Sequence, residues 1–305
     1  MKLLLTGAWA DARAHFKTLE SKGHELAFLQ QERDPLPCDP AWVEGVVCNA
    51  LFLHHSLDDF PRLRFIQLTS AGLDRVPLDR IRARGIRLCS ARGVYSVPMA
   101  EFALAGVLGL CKQSRAFTDA QRERRWEKRR DLAELNGKTV TVLGCGSVGT
   151  ECATRFAAFG CRVRGVDLYP APNDAYEAVL PLGRLEELLS GTEVLVLTLP
   201  LTPETRHLID AARLSLLPAG AILVNISRGA VVDEAALTDA LTNGRLGGAV
   251  LDVFETEPLP ADSPLWAMEN VILTPHNSFV GGGNGARLAK LILENLEAAA
   301  LEAQP

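Results

Sequence analysis

Three side chains able to hold charge or move protons stand behind short apolar runs in the last third of this 305-residue sequence. They are Arg228 in NISRGAVVDE, Glu257 in LDVFETEPLP and His276 in LTPH. A histidine with an ordinary pKa of about 6.5 can give and take a proton near neutral pH. A neighbouring carboxylate would favour the imidazolium and fix the ring's tautomer and orientation. A guanidinium offers a planar fork for carboxylate or carbonyl oxygens that lysine cannot reproduce. The separations are 29 and 19 residues, so only tertiary structure can bring the three together. Taken singly, each has a plainer reading. Arg228 can pair with Asp233 or Glu234, Glu257 can be a surface charge in a proline-bounded loop, and His276 can cap a strand end.

A second signal lies upstream. The run VTVLG leads into GCGSVG, which puts Gly144, Gly146 and Gly149 in the GxGxxG spacing. The helical stretch TECATRFAAFG follows, and then a second strand ending at Asp167, 18 residues past Gly149. The spacing alone is weak, but its context is that of a dinucleotide turn. Gly144 allows the tight turn, Gly146 lets amides approach a pyrophosphate, and Gly149 permits close helix-strand packing, while the helix N-terminus supplies partial positive charge. Asp167 can accept hydrogen bonds from the adenosine ribose and would repel a 2′-phosphate. Leu168, Tyr169 and Pro170 offer no arginine to hold that phosphate, so the expected cofactor is NAD rather than NADP.

The elements that must position these groups follow from hydrophobic periodicity. VTVLG (140 to 144), VRGVD (163 to 167), EVLVLTL (193 to 199), AILVNIS (221 to 227), GGAVLDV (247 to 253) and VILTP (271 to 275) are near-continuous apolar runs, the mark of parallel strands buried on both faces. LGRLEELLSG and VDEAALTDALTNG between them have helical spacing and end in glycines suited to left-handed caps. This half is expected to be doubly wound α/β, with ligands at the strand ends. Residues 1 to about 98 repeat the alternation through LLLTG, GVVCNA, RFIQLTS and IRLCS, a second α/β domain. Between the halves, PMAEFALAGVLGLCKQSRAF predicts a long apolar helix. QRERRWEKRR after it reads as a solvated or subunit-facing helix surface rather than a nucleic-acid patch, because Trp126 is its only aromatic. ARLAKLILENLEAAALEA, with Leu288, Leu291, Ile292 and Leu296 on one face, predicts an amphipathic helix able to pack back onto the first domain.

Composition narrows the classes. A net charge of −5 gives no general attraction for nucleic acid or an anionic membrane. Seven cysteines with no CxxC pair favour reduced thiols in a cytoplasm over disulfides or a zinc site, and no metal is expected. The longest uncharged apolar run, Phe102 to Cys111, is too short to span a bilayer. MKLLLTGAWADA resembles a signal peptide superficially, but its apolar core is short and reads as a first strand closed by a Thr-Gly turn.

Together these features resemble the D-isomer-specific 2-hydroxyacid dehydrogenase family. The segments that carry the resemblance, in order, are TSAGLD, ARGVYSVPMAE, GKTVTVLGCGSVG, LPLTPETRHLI, NISRGAVVDEAAL, LDVFETEPLP and LTPH. The resemblance implies a Rossmann NAD-binding domain (99–279) inserted in a flavodoxin-like substrate domain (1–98 with 280–305), and a catalytic set of Arg228, Glu257 and His276. It implies cofactor contacts from Ser147, Val148, Asp167, Pro200 and Thr205, and further ones from Ile226, Ser227 and Asp252. Backbone amides around Ser70, Ala71 and Gly72 are expected to hold the substrate carboxylate in an interdomain cleft. The implied reaction is NAD-dependent interconversion of a small 2-oxoacid, such as glyoxylate, hydroxypyruvate or pyruvate, with its D-2-hydroxyacid. D-3-phosphoglycerate dehydrogenase is an alternative, disfavoured by the absence of Lys and Arg between Gly45 and Pro61 and of a regulatory domain after the last helix. An NAD(H)-sensing corepressor is another alternative, disfavoured by the lack of a low-complexity tail. His54, His55 and Arg92 are candidate contacts to a polar substrate tail. Asn277 and Ser278 depart from the family's usual apolar and small residues, and either contact ligand or satisfy backbone. A homodimer is implied, with the helix from Pro98 and QRERRWEKRR at the interface.

Overall fold

Runs too uniformly apolar to leave one face in water form two all-parallel sheets. The structure is a computed structural model and describes residues 1–301. The chain divides into two compact units, residues 1–95 with those from 281 onward, and residues 96–280. The unit boundary on the return path falls between Val280 and Gly281.

The first unit holds β1 (Lys2–Thr6), β2 (Glu25–Leu29), β3 (Gly45–Cys48), β4 (Phe65–Leu68) and β5 (Arg87–Cys89). Their order is β2-β1-β3-β4-β5, the flavodoxin-like arrangement. Strand β2 has no counterpart among the runs expected from sequence. It is an edge strand opening on exposed Glu25, with an apolar stretch of only the four residues LAFL. The helix Asn284–Leu301 packs Leu288, Ala289, Ile292 and Leu296 against Leu3, Leu5, Val47 and Phe65, as the amphipathic pattern predicted. Asn295 on the same helix donates to the carbonyl oxygen of buried Gln67 at 2.7 Å, which satisfies a polar side chain within β4.

The second unit holds β6 (Thr139–Leu143), β7 (Arg162–Asp167), β8 (Val179–Pro181), β9 (Val194–Leu197), β10 (Ala221–Asn225), β11 (Leu246–Leu251) and β12 (Val271–Leu273). The order β12-β11-β10-β9-β6-β7-β8 reverses direction between β9 and β6, the switch point where doubly wound sheets bind ligands. Strand β8, a three-residue edge ending in proline, is again absent from the sequence reading. Strand β9 stops before Thr198, whose hydroxyl turns to the carbonyl of Gly144 at 2.6 Å. Gly244 takes the expected left-handed conformation with φ +72°, whereas Gly191 does not.

The long apolar helix is broken. It runs as Ser96–Cys111, restarts as Ser114–Arg122, and Gln113 between them is left-handed with φ +49°. The first piece lies so close to the sheet that a Cβ on Gly106 would sit 2.6 Å from Val250. The expectation of a helical surface at QRERRWEKRR is corrected: the helix ends at Arg122, Arg124 is left-handed, and residues 125 to 131 have no regular structure. On a helix, Arg125 and Arg129 would stack like charges four residues apart. In the extended path Arg125 meets Glu123 and Glu127, and Arg129 meets Gln113. Among the described residues no helix is long and apolar enough to cross a membrane.

Ile292 has no exposed surface and sits mid-way along the last helix. Ile292→Ala should destabilise the first unit by about 2–5 kcal/mol through the cavity it leaves, read as a lower urea midpoint.

Candidate active site

Strand ends of a parallel sheet present loops that the chain can vary, and three adjacent strands of the second unit carry the three candidate groups. Arg228 follows β10, Glu257 follows β11 and His276 follows β12. The structure brings two of them into contact: His276 Nδ1 lies 2.9 Å from Glu257 Oε2. A carboxylate can only accept, so Nδ1 carries the hydrogen and Nε2 is left to exchange a proton with a ligand. The other carboxylate oxygen of Glu257 accepts the N–H of Phe254 at 3.1 Å, which fixes the acid on its own loop.

His276 is placed by strain and a buried acid. Its φ is +52°, a left-handed conformation that costs a residue with a Cβ about 1–2 kcal/mol. The backbone is held there because the His276 N–H donates to the Asp252 carbonyl at 2.8 Å. The side chain of Asp252, without exposed surface, accepts from the Thr274 hydroxyl at 2.6 Å and from the N–H groups of Asn277 and Ser278 at 2.7 and 2.9 Å. Three donors offset the cost of withdrawing a carboxylate from water. Asn277 and Ser278 thus satisfy that acid through their backbones, while Ser278 is buried and the Asn277 side chain is exposed. Phe279 sets its ring edge-on to the His276 ring, centroids 6.3 Å apart, with 41% of its surface exposed beside the imidazole.

Arg228 is exposed, and one guanidinium nitrogen donates to the Ser227 carbonyl at 2.7 Å. Among the described residues no hydrogen bond or ion pair joins it to Glu257 or His276. Its turn is tied by Asn225, whose amide donates to the Arg228 carbonyl and whose oxygen accepts from the Ser227 hydroxyl. The turn also presses on the Glu257 loop. A Cβ on Gly229 would lie 1.9 Å from the Phe254 carbonyl carbon and 2.4 Å from the Glu255 nitrogen. Asn225, Thr274 and Gly229 were not singled out from sequence. The visible signals are an amide closing an apolar strand, a hydroxyl two residues before the histidine, and a glycine directly after the arginine.

The glycine turn fits a dinucleotide. Gly144 has φ +100°, and a Cβ there would crowd Thr198 and Leu199 at 2.8 Å. A Cβ on Gly149 would lie 1.9 Å from the Gly144 carbonyl oxygen, so both positions require glycine. The helix Ser147–Ala158 begins at Gly146 without a side-chain cap, which leaves amides of its first turn for a pyrophosphate. Asp167 stands at the end of the neighbouring β7. It accepts the Cys145 N–H at 2.6 Å and the Tyr169 N–H at 2.9 Å, keeping lone pairs for ribose hydroxyls. Burial pushes the Cys145 thiol up to about 11, so it is neutral and inert at physiological pH.

Other sequence-predicted contacts have visible local duties. The Thr205 hydroxyl, fully buried, donates to the Pro200 carbonyl and accepts the Thr202 N–H, both at 2.7 Å. Ile226 and Ser227 are buried at the end of β10, and Val148 is half-buried in the first turn of its helix. In the first unit, Ser70, exposed Ala71 and Gly72 follow β4, with the Ser70 hydroxyl donating to the Gly72 carbonyl at 3.1 Å. His55 is spent on the Glu32 carbonyl at 2.9 Å, and His54 lines a cavity with Gly7, Gln30, Glu32 and Asn49.

Residues 104–278, which contain the glycine turn and all three strand-end groups, match the family model described as D-isomer specific 2-hydroxyacid dehydrogenase, NAD binding domain. The chain belongs to the D-isomer specific 2-hydroxyacid dehydrogenase family. It is 41% identical over 218 residues to a D-3-phosphoglycerate dehydrogenase of Mycobacterium tuberculosis, a match covering 71% of this chain but only 41% of that protein. The chain thus spans about two fifths of that relative's length. It is 35% identical over 247 residues to a glyoxylate/hydroxypyruvate reductase A of Arabidopsis thaliana, covering 79% of this chain and 77% of that one. A solved D-isomer specific 2-hydroxyacid dehydrogenase of Xanthobacter autotrophicus, in complex with NADPH and MES, superposes with a TM-score of 0.79 at 32% identity, covering 99% of this chain and 96% of the other.

The contact at Gly229 makes a test of how the loops bearing Arg228 and Glu257 are held. Gly229→Ala should lower turnover at least about a hundredfold, since a misplacement near 1 Å has that effect, while circular dichroism stays unchanged. Turnover near wild type would show that the two loops need not touch.

Proposed function

We propose that this chain interconverts a small 2-oxoacid and its D-2-hydroxyacid, using NAD(H). The single observation that carries the reading is the His276–Glu257 pair at 2.9 Å, at the strand ends of the same sheet that carries a glycine turn built for a dinucleotide. Bound NADH would supply the hydride for the carbonyl carbon of the oxoacid. His276 gives the carbonyl oxygen its proton from Nε2, and Glu257, in contact with Nδ1, keeps the ring oriented. Arg228 grips the substrate carboxylate and polarises the carbonyl oxygen, and the Ser70, Ala71 and Gly72 amides hold the carboxylate. In the reverse direction Nε2 accepts the hydroxyl proton.

Cofactor contacts are assigned to the Gly144, Gly146 and Gly149 turn, to Ser147 and Val148 in the first helical turn, and to Asp167 at the ribose. Further cofactor contacts are assigned to Pro200, Thr205, Ile226, Ser227 and Asp252, Thr205 acting by fixing its own loop and Asp252 by fixing the segment that carries His276. Asp167 supports NAD over NADP. The Xanthobacter relative solved with NADPH makes that preference a matter for experiment.

The small-oxoacid class is supported by the apolar edge of Phe279 on His276 and by the absence of Lys and Arg between Gly45 and Pro61. The second reading, 3-phosphoglycerate, is favoured by the Mycobacterium relative at 41% identity. A homodimer is inferred from exposed Phe117 and Trp126, the latter 95% exposed, on and just after the helix Ser114–Arg122. A cytoplasmic setting is inferred from seven free cysteines.

A panel of glyoxylate, hydroxypyruvate, pyruvate and 3-phosphohydroxypyruvate with NADH tests the reaction. At least one small oxoacid should be reduced, and His276→Ala should lose at least about a thousandfold in kcat with NADH affinity within twofold. Silence across the panel with tight NADH binding would favour a sensor, and a preference for the phosphorylated acid would install the second reading. For the cofactor, Asp167→Asn should raise the kcat/KM ratio of NADPH to NADH at least about tenfold, by removing charge repulsion. An unchanged ratio would sink the role given to Asp167.

A further inference from the structure

Three loops of the second unit are joined by a group of charged side chains outside the dyad. Glu255, two residues before Glu257, exchanges hydrogen bonds with Glu234. The Glu234 N–H donates to Glu255 Oε1 at 3.1 Å, and the Glu255 N–H donates to Glu234 Oε2 at 2.9 Å. Glu234 opens the helix Glu234–Thr242, so the Glu255 carboxylate also meets the positive end of that helix. The Asp233 side chain caps the same end by accepting the Ala236 N–H. His207 reaches the same pair from the loop after β9. Its Nε2 lies 2.9 Å from Glu255 Oε1, off the line of a good hydrogen bond.

His207 is not placed by its own loop alone. It is left-handed, with φ +49°, and its N–H donates to the Ala230 carbonyl at 2.7 Å. Two residues on, the Ile209 N–H donates to the Val231 carbonyl, and the Asp233 N–H returns to the Ile209 carbonyl. The loop after β9 is thereby stitched to the turn that carries Arg228. The Glu255–Glu234 exchange stitches that turn to the loop that carries Glu257, next to the backbone contact at Gly229. None of these side chains is part of the dyad or of the glycine turn.

We propose that Glu255, with Glu234 and His207 as its partners, is a positioning residue that sets Arg228 and Glu257 relative to each other. The proposal rests on the dehydrogenase reading above. Its physical content is a register between two loops. Arg228 must meet the substrate carboxylate while Glu257 holds the imidazole on the same substrate's carbonyl, and neither side chain bonds to the other among the described residues. Glu255 lies between them along the chain path and is tied to both sides. Because its side chain is about one third exposed, at 32%, its contribution to overall stability is small. Its contribution to geometry need not be, since sub-ångström errors in a reacting constellation are felt in rate.

The test compares Glu255→Ala, Glu255→Gln and His207→Gln in the full chain, against the best small oxoacid of the panel. Glu255→Ala should raise KM for the oxoacid about tenfold and lower kcat several-fold, with NADH Kd within twofold, because β6 and β7 carry the dinucleotide turn. Glu255→Gln keeps an acceptor for the Glu234 N–H and should recover most of the loss. His207→Gln should fall between them. Wild-type KM and kcat in Glu255→Ala would overturn the proposal, as would a loss matched by weaker NADH binding or one that glutamine fails to rescue. Should Glu255→Ala not fold, Glu234→Ala removes the acceptor of the Glu255 N–H alone and must show the same KM rise. Hydrogen exchange of the Glu234 and Glu255 amides, faster in Glu255→Ala, reads the clasp without turnover. A wild-type protein silent on every oxoacid would therefore refute the dehydrogenase reading separately, while unchanged exchange would refute the clasp.

Discussion

A carboxylate wholly removed from water must be met by donors, and Asp252 is met by three that all lie in the segment bearing His276. That requirement bends the chain after β12 into a left-handed step at the histidine, which isolated residues of this type avoid. With the step fixed, the imidazole has one neighbour to lean on, and Glu257 is anchored to its own backbone at Phe254. The His276–Glu257 pair is therefore a consequence of the buried Asp252. It does not depend on the attraction between two half-exposed side chains, which is weak in water.

The sheet sets the wider arrangement. Strands β10, β11 and β12 are adjacent and parallel, so their C-terminal ends lie on one edge, and residues 29 and 19 positions apart become neighbours. On the same edge lies the reversal between β9 and β6, where the Gly144 turn follows β6. Close approach is the recurring device. Gly149 lies against the Gly144 carbonyl, Gly229 against Phe254 and Gly106 against Val250, each at a distance that excludes a Cβ. Local packing at these points fixes the separations between loops that the proposed chemistry requires.

Much of this was legible beforehand. The central strands of both sheets were visible because residues buried on both faces are apolar in succession. The glycine turn was visible because its spacing, its strand and its acid occur in order. What escaped lay at edges and junctions. Strands β2 and β8 lie at sheet edges, β2 with a four-residue apolar stretch and β8 with only three residues, so they carry little periodic signal. The break at Gln113 and the loss of helix after Arg122 depend on backbone conformations at residues whose types do not demand them.

The sequence by itself determined the fold class, the dinucleotide turn and the identity of three groups capable of the chemistry, because these follow from residue type and local order. Only the tertiary structure decided that His276 and Glu257 touch, that Thr205 spends its hydroxyl on its own loop, and that Asn277 and Ser278 serve Asp252 through their amides. The reason is that a side chain's partners are set by three-dimensional proximity. Proximity between residues 20 to 50 positions apart is fixed by strand order and by which atoms must be satisfied once buried, and neither can be read from a linear pattern.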